Sequence, residues 1–195
     1  MNLIVGLGNP GHTFSGTRHN VGFDVVQQLA ERHGVAIEQR VVNPDDGRPA
    51  GVYGEYQDGA ETVRLLMPLT MMNASGEALK RLDAPLDRVL IICDDVNLPL
   101  GALRLRPQGS DGGHHGLASC LQVLATDAVP RLRIGVGTEA LPSDLNQFVL
   151  SRFASSERPQ MQRALEQAAD ACETWVRDGI EAAMNRYNAK VQDAT

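Results

Sequence analysis

Apolar residues along the chain follow two patterns, short unbroken runs and longer stretches with a period of three to four residues. The runs within 2–6 and 89–93 predict buried strands, because a strand covered on both faces is apolar at nearly every position. Between 21 and 33 the apolar positions recur with a helical period, with Asn20 at the N-cap position and Gly34 beyond the end. The chain therefore opens with a buried strand followed by an amphipathic helix.

The rest of the chain continues to alternate between strands and helices. A turn at 57–59 joins two predicted strands into a hairpin, and a short predicted helix carries Ala78, Leu79 and Leu82 on its inner side. The alternation predicts one α/β domain with a mixed sheet and helices on both faces. The further predicted strands cover 35–41, 51–57, 62–67, 102–106 and 131–137, and the further helices cover 117–125 and the segment after Ser156.

The composition favours one cytoplasmic domain with no membrane segment. The 195 residues are 43% hydrophobic, enough for one core, and no run approaches the roughly 18–20 apolar residues that span a bilayer. The N-terminal apolar run is short and follows no basic region, so we interpret it as a strand and not as a signal peptide. Three widely spaced cysteines in apolar contexts are expected to be reduced thiols, namely Cys93, Cys120 and Cys172.

The charge distribution adds one feature that the total charge hides. A net charge of −6 argues against a nucleic-acid partner. Residues 97–138, however, are net positive and carry two Arg-x-Arg pairs, in which alternate residues of a strand share a face. Two interpretations remain open, an ordinary solvated strand face and a surface that binds phosphate. The four arginines are Arg104, Arg106, Arg131 and Arg133.

Two glycine-rich loops follow predicted strands, where α/β sheets form their sites. Residues 6–11 match the dinucleotide pattern G-x-G-x-x-G, but the next helix begins about eight residues too late to hold a pyrophosphate. We therefore expect no nucleotide there and interpret the loop as a rigid mount for the amide of Asn9. The segments 72–73, 94–95 and 109–116 end at the same predicted edge.

One histidine and one aspartate form the simplest candidate for chemistry. His19 precedes a helix and Asp94 ends the central strand, and an imidazole oriented by a carboxylate can act as a general base. The sequence contains no G-x-S-x-G and no H-E-x-x-H, so a serine hydrolase or a zinc enzyme is unsupported. Adjacent His114 and His115 alone are a weak metal signal. The residues alone predict a metal-free hydrolase without a cofactor.

Several motifs together closely resemble bacterial-type peptidyl-tRNA hydrolase. The resemblance covers roughly residues 1–190 and leaves a short polar tail at 191–195. It implies a single-domain, three-layer α/β/α sandwich with a mixed, mostly parallel central sheet. The motifs are Gly6-Leu-Gly-Asn-Pro-Gly11, Thr17-Arg-His-Asn-Val-Gly22, Pro68-x-Thr-x-Met-Asn-x-Ser-Gly76, Asp94-Asp-x-x-Leu-Pro-x-Gly101, Gly112-Gly-His-x-Gly-Leu117 and Arg131-Leu-Arg-Ile-Gly-Val-Gly137.

The resemblance implies an esterase that releases a peptide from the terminal ribose of tRNA, so that tRNA is recycled from stalled translation. It implies that His19 activates water and that Asp94 orients His19. Asn9 and Asn73 would hold the peptide backbone and the water or oxyanion, with Met72 packed beside them. A metal-independent, cytoplasmic monomer is expected.

The resemblance also implies further substrate contacts. At two of these positions the chain differs from the family pattern, and at three it matches. Phe14 stands where a tyrosine is common, and His115 stands where the family has a third asparagine. The positions expected to meet tRNA phosphate are Arg104, Arg106 and Arg133, and the segments 98–106 and 109–116 would form a gate over the cleft.

Two further interpretations stay open. The chain could be a catalytically quiet RNA-binding module on the same fold, but such a module has little reason to retain His19, Asp94, Asn9 and Asn73 together. A hydrolase of small esters without RNA is disfavoured by the two Arg-x-Arg pairs.

Overall fold

The computed structural model describes residues 1–81 and 84–188, and its strands form one seven-stranded sheet. The spatial order is β2-β3-β4-β1-β5-β7-β6. The four strands β4, β1, β5 and β7 are parallel, and β2, β3 and β6 join antiparallel. The predicted mixed, mostly parallel sheet is confirmed. The strands are β1 (Asn2–Gly6), β2 (Gln39–Val42), β3 (Pro49–Asp58), β4 (Glu61–Pro68), β5 (Val89–Pro99), β6 (Leu103–Arg106) and β7 (Arg131–Gly137).

Helices cover both faces of the sheet, because alternate residues of the central strands point to two different cores. Ile4 of β1 packs with α1 and α4, whereas Leu3 and Val5 pack on the opposite side with α2 and the 3₁₀ segment Met72–Leu79. The predicted three-layer α/β/α sandwich is therefore confirmed. The helices are α1 (Val21–His33), α2 (His115–Leu124), α3 (Leu145–Val149) and α4 (Arg158–Tyr187), with a non-helical backbone at Gly179 inside α4.

Two predicted strands have different bounds in the structure. The strand predicted at 35–41 begins only at Gln39. The strand predicted at 89–93 continues as β5 to Pro99, since its backbone pairing with β7 resumes after a register shift beyond Asp95. Apolar runs mark the part of a strand that is buried on both faces, and the polar extension has no such signal. Leu82, Asp83 and the tail at 191–195 lie outside the described residues.

Burial accounts for the state of the three cysteines. Cys93, Cys120 and Cys172 are all free and buried. Burial raises the pKa of the Cys120 thiol to about 12, and burial followed by the nearby Asp94 charge raises the pKa of Cys93. None of the three is a nucleophile at neutral pH. Within the described part of the chain, every helix is too short or too polar to cross a bilayer.

A close approach of two glycines fixes the loop between β1 and α1. A side chain on Gly6 would collide with the carbonyl of Gly22, and one on Gly22 would lie about 2.5 Å from the backbone of Leu7. Leu7 also donates its backbone N–H to the Ile92 carbonyl at 2.9 Å, which continues the sheet beyond β1. The first turn of α1 is therefore pressed against the end of β1, and the residues before α1 stand at the carboxyl edge of the sheet.

Gly22→Ala tests this contact. The added methyl group meets backbone atoms that cannot rotate away, so we expect the free energy of unfolding to fall by about 1–3 kcal/mol. At roughly 2–4 °C per kcal/mol, a thermal melt should resolve the shift. Gln27→Ala on the exposed side of α1 is the control and should leave the melting temperature within about 1–2 °C of wild type, which corresponds to about 0.5 kcal/mol. Equal melting temperatures for the two variants would contradict the close contact.

Candidate active site

The carboxyl ends of β1 and β5 bring together a loop, a strand and the start of a helix. Asn9 lies in the loop after β1, and His19 lies in the 3₁₀ turn Arg18–Asn20 just before α1. Asp94 lies on β5, next to β1 in the sheet, and His114 is the N-cap of α2. Segments far apart in sequence therefore converge at one edge, as the sequence predicts.

His19 and Asp94 are in direct contact. The Nδ1 atom of His19 lies 2.8 Å from Oδ1 of Asp94, and both residues are buried. The Nε2 atom of His19 has no hydrogen-bond partner among the described residues, and the histidine borders a cleft. A histidine that donates from Nδ1 to a carboxylate keeps a lone pair on Nε2, so this pair can accept a proton from the cleft.

A second histidine binds the same carboxylate oxygen. His114 places Nε2 at 2.9 Å from Oδ1 of Asp94, and its ring centroid lies 4.9 Å from that of His19. The backbone N–H of Leu117 donates to Nδ1 of His114 at 3.1 Å, so Nδ1 carries no proton. The proton of neutral His114 is therefore on Nε2, where it is donated to Asp94. The Oδ1 atom accepts two imidazole N–H groups at once.

This arrangement sets the charge state of Asp94. Burial by itself raises the pKa of a carboxyl group, because the charged form is poorly solvated. Here the hydrogen bonds of His114 and His19, together with the charge that these histidines carry when protonated, outweigh burial and lower the pKa of Asp94 below its usual range. The carboxylate is therefore ionised at neutral pH, as an orienting partner for a base must be.

The same three side chains raise the question of a metal ion. One ligand atom each from His19, Asp94 and His114 lies within 4.8 Å of the others. A metal on Nε2 of His114 would require the proton to move to Nδ1, where it would face the N–H of Leu117. The backbone of α2 thus fixes a tautomer that suits proton donation better than metal binding.

Asn9 is held rigidly by Asn20 and by the backbone of Met72. The backbone N–H of Asn9 donates to Oδ1 of Asn20 at 3.0 Å, and Nδ2 of Asn20 donates to the Asn9 carbonyl at 2.9 Å. The side-chain oxygen of Asn9 accepts from the N–H of Met72 at 2.7 Å, which leaves its NH₂ group for a ligand. Asn20 stands at the start of α1 as predicted, but its amide fixes Asn9 and does not cap the helix.

Two clefts meet at His19. The first cleft, of about 660 Å³, runs along β5 and the glycine-rich loop 109–116, called the glycine loop below. The second cleft, of about 470 Å³, runs past Asn9, Met72 and Asn73. Four residues border both clefts, namely His19, His115, Asn146 and Val149. A substrate whose reacting bond lies at His19 can therefore extend in two directions.

Most of the site residues named from the sequence line these clefts, and three do not. Arg133 borders the first cleft, whereas Arg104 and Arg106 lie outside both. Phe14 ends a short 3₁₀ turn and is half-buried, and its carbonyl accepts from Thr17, but it also lies outside both clefts.

The four arginines share one face of β6 and β7 but differ in role. Arg104 lies opposite Arg133, and Arg106 lies opposite Arg131. Arg131 is buried and donates to the carbonyls of Gly109 and three other residues, so it fixes the glycine loop. The solvated-face interpretation is thus wrong for Arg131.

The other three arginines remain closer to solvent. Arg133 donates to Asp95 at 3.2 Å and to the Ser110 carbonyl at 2.9 Å. Arg104 and Arg106 form no ion pair among the described residues. A row of like charges on adjacent strands is unfavourable unless anions compensate it, which makes this face suited to phosphate. The gate at 98–106 and 109–116 stays a prediction.

Sequence reasoning missed three contributors to the site. From the sequence, His114 is only a weak metal signal, because histidine is not among the preferred N-cap residues; the structure shows that it caps α2. Asn146 and Val149 of α3 line both clefts, and no motif marks them.

Asp94→Asn tests the charge state of this carboxyl group. The folded chain holds the pKa of Asp94 below the value of about 3.9 in an unfolded chain, so the folded state binds fewer protons there and stability rises with pH. The contribution is fully present above about pH 5 and is lost as the pH falls through the folded pKa. Urea unfolding from about pH 3 to about pH 6 should show a steeper acid loss for wild type than for D94N. Parallel curves would contradict this assignment.

The chain is similar to known proteins over nearly its whole length. A family model described as peptidyl-tRNA hydrolase matches residues 3–194. The peptidyl-tRNA hydrolase of Alkaliphilus metalliredigens is 44% identical over 192 residues, 96% of this chain and 100% of that protein. That of Symbiobacterium thermophilum is 45% identical over 193 residues, 95% of this chain and 98% of that protein.

A solved structure shows the same likeness in three dimensions. The crystal structure of peptidyl-tRNA hydrolase from Acinetobacter baumannii superimposes with a TM-score of 0.85 at 34% identity, covering 97% of this chain and 95% of that chain. The chain therefore belongs to the peptidyl-tRNA hydrolase family.

Proposed function

We propose that the protein hydrolyses the ester bond between a peptide and the terminal ribose of tRNA, and so recycles tRNA from stalled translation. The observation that carries this proposal is the oriented base at the junction of the two clefts, His19 bound to the ionised Asp94. Membership of the family supplies the substrate class. The two clefts that meet at His19 would hold the two parts of the substrate, the tRNA end and the peptide.

In the proposed mechanism His19 is the general base. Its Nε2 takes a proton from water as the water oxygen attacks the ester carbonyl, and Asp94 stabilises the imidazolium through Nδ1. The imidazolium then returns the proton to the ribose oxygen as the carbon–oxygen bond breaks. His114 donates to the same carboxylate oxygen and so fixes its orientation. Protons and charge balance over the two steps.

Uncharged groups around His19 suit an unspecific peptide. The NH₂ group of Asn9 and the amide of Asn73 border the second cleft, and amides both donate to and accept from any peptide backbone. His115 lies on the same wall and can donate one hydrogen bond. We propose that these groups hold the peptide and the oxyanion, with Met72 packed beneath them. Phe14 remains a proposed substrate contact without direct support from the clefts.

The chemistry needs no metal. An ester has a good leaving group, a positioned base contributes about 10²–10⁴-fold, and one oxyanion donor contributes about 10²–10³-fold. The tautomer of His114 supports the same proposal, since it presents a proton and not a lone pair to Asp94. We propose that the enzyme is metal-independent and works without a cofactor.

The tRNA is proposed to lie along the arginine face of β6 and β7. Arg104 and Arg106 are the freest cations there, and Arg133 connects this face to the first cleft. Guanidinium groups bind phosphate oxygens with two N–H groups at once. The acidic remainder of the surface would weaken non-specific RNA binding and confine the contact to this face.

A catalytically quiet RNA-binding module is the second candidate. It would require the arginine face for RNA binding but would not require the buried cluster of His19, Asp94 and His114. The contacts among His19, Asp94 and His114 bury a charge that would be costly without a role, which favours the enzyme. We also propose a cytoplasmic monomer; the three buried, free cysteine thiols suit a reducing compartment.

His19→Ala tests the mechanism. Hydrolysis of an N-acetylated aminoacyl-tRNA should fall by about 10²–10⁴-fold, because the base is lost while the cleft remains. Binding of tRNA should change little. His12→Ala on the same loop is the matched control and should keep its activity, because His12 is exposed and borders neither cleft. Retention of most activity in H19A would contradict the proposed mechanism. If wild type binds tRNA but does not hydrolyse the ester, the quiet RNA-binding module is favoured.

Arg106→Ala tests the tRNA surface. Loss of one phosphate contact should weaken tRNA binding and reduce the slope of log K against log salt by about 0.7–0.9. Arg40→Ala is the matched control, because Arg40 is also exposed but lies on β2 at the opposite edge of the sheet. Filter binding at several salt concentrations measures both slopes. Identical slopes for R106A and R40A would show that the arginine face is not the tRNA surface.

A further inference from the structure

Arg18, the residue before His19, is a buried charge that the proposed mechanism does not use. Only 5% of its surface is exposed. Its guanidinium binds both carboxylate oxygens of Glu157 at 3.0 and 2.7 Å and donates to the Val136 carbonyl at 3.1 Å. A buried arginine paired in this way keeps a fixed geometry, because every departure leaves a charge uncompensated.

The same guanidinium holds the segment that contains α3. It lies 4.4 Å from the ring centroid of Phe148 and 4.7 Å from that of Phe153, and Nε approaches the Ser151 hydroxyl at 3.4 Å. The backbone N–H of Arg18 donates to the Ser151 carbonyl at 3.0 Å. Residues 148–157 therefore wrap around one cation.

Apart from Asp144, whose side chain accepts the N–H of Gln147 at 3.0 Å and caps the first turn, α3 itself has little else to hold it. All five of its residues are exposed or half-buried, and Leu145 is 42% exposed. Five residues are too few for a helix that is stable by its own hydrogen bonds. Yet Asn146 and Val149 border both clefts beside His19. The position of this wall must come from outside α3, and Arg18 is the group that contacts both Phe148 and the residues after it.

We propose that Arg18 is a positioning residue that fixes α3 beside His19, and that Asn146 thereby contacts the substrate across the scissile ester. The inference rests on the proposed hydrolysis of peptidyl-tRNA for its substrate, but the positioning is a property of the chain itself. Arg18 acts through Phe148 and Glu157 and does not touch the reacting atoms.

The consequence is a division of labour between two neighbouring residues. His19 accepts and returns the proton, and Arg18 fixes α3, which forms the cleft wall that confines the substrate. Because the wall borders both clefts, it contacts the substrate before and during the reaction alike, and loosening it raises KM more than it lowers kcat. The His19–Asp94 contact is separate, so the pH profile of kcat should not move.

The decisive variants are Phe148→Leu and Asn146→Ala. F148L keeps apolar bulk but removes the ring that faces Arg18, so KM for N-acetylated aminoacyl-tRNA should rise about threefold to tenfold, with kcat within about twofold. N146A should show a similar rise. If Arg18 acts through α3, the double variant F148L/N146A should be no worse than either single variant, whereas independent effects multiply.

Arg18→Lys and Glu157→Gln test the ion pair between Arg18 and Glu157 itself. Hydrogen exchange measures its effect on α3 independently of activity. Exchange at residues 145–150 should become faster in R18K and E157Q than in wild type, while exchange in β5 stays unchanged. Arg32→Ala is the matched control, since Arg32 also ties α1 to α4, through Asp170 at 2.7 Å, but lies away from the clefts. R32A should change neither KM nor exchange in α3.

The outcomes separate this inference from the proposed function. Unchanged exchange in α3 of R18K and E157Q would overturn the positioning role, whatever the activity. Faster exchange with unchanged KM in F148L and N146A would overturn the substrate contact. If wild type does not hydrolyse peptidyl-tRNA, the proposed function fails, and the exchange experiment still decides whether Arg18 positions α3.

Discussion

One carboxylate oxygen organises the candidate active site. Oδ1 of Asp94 accepts N–H groups from His19 and His114, which lie far apart in the sequence and in different layers of the fold. Because both donors depend on the negative charge, the site needs Asp94 ionised, and the two histidines keep it so despite burial. The parallel pairing of β1 with β5 brings these three side chains to one edge.

Around this oxygen the backbone is held by contacts that leave little freedom. The approach of Gly6 to Gly22 closes the loop that carries Asn9, and Asn20 binds the main chain of Asn9 on both sides. On the other side of the site, Arg131 fixes the glycine-rich loop 109–116 by donating to its carbonyl groups. Pre-organisation of this kind lowers the entropy that must be lost when a substrate is positioned.

Sequence patterns predicted the sheet, its helices and the His19–Asp94 pair, because apolar periodicity reports burial and the ends of parallel strands meet. They could not distinguish Arg131, which is buried against carbonyls, from Arg106, which is exposed, since both stand in the same Arg-x-Arg pattern. Nor could they place α3, whose residues lack a core-facing period. What escaped prediction depends on contacts between distant segments and not on local pattern.

The capping role of His114 ties the protonation of the site to the secondary structure. Its Nδ1 lone pair accepts the N–H of Leu117 in the first turn of α2, and its Nε2 donates to Asp94. A histidine protonated on both nitrogens cannot accept, so adding that one proton would uncap α2 at the point where the glycine loop joins it. The N-terminus of α2 and the hydrogen bond to Asp94 are therefore linked through one imidazole ring, so a change in the first turn of α2 would also reach the carboxylate.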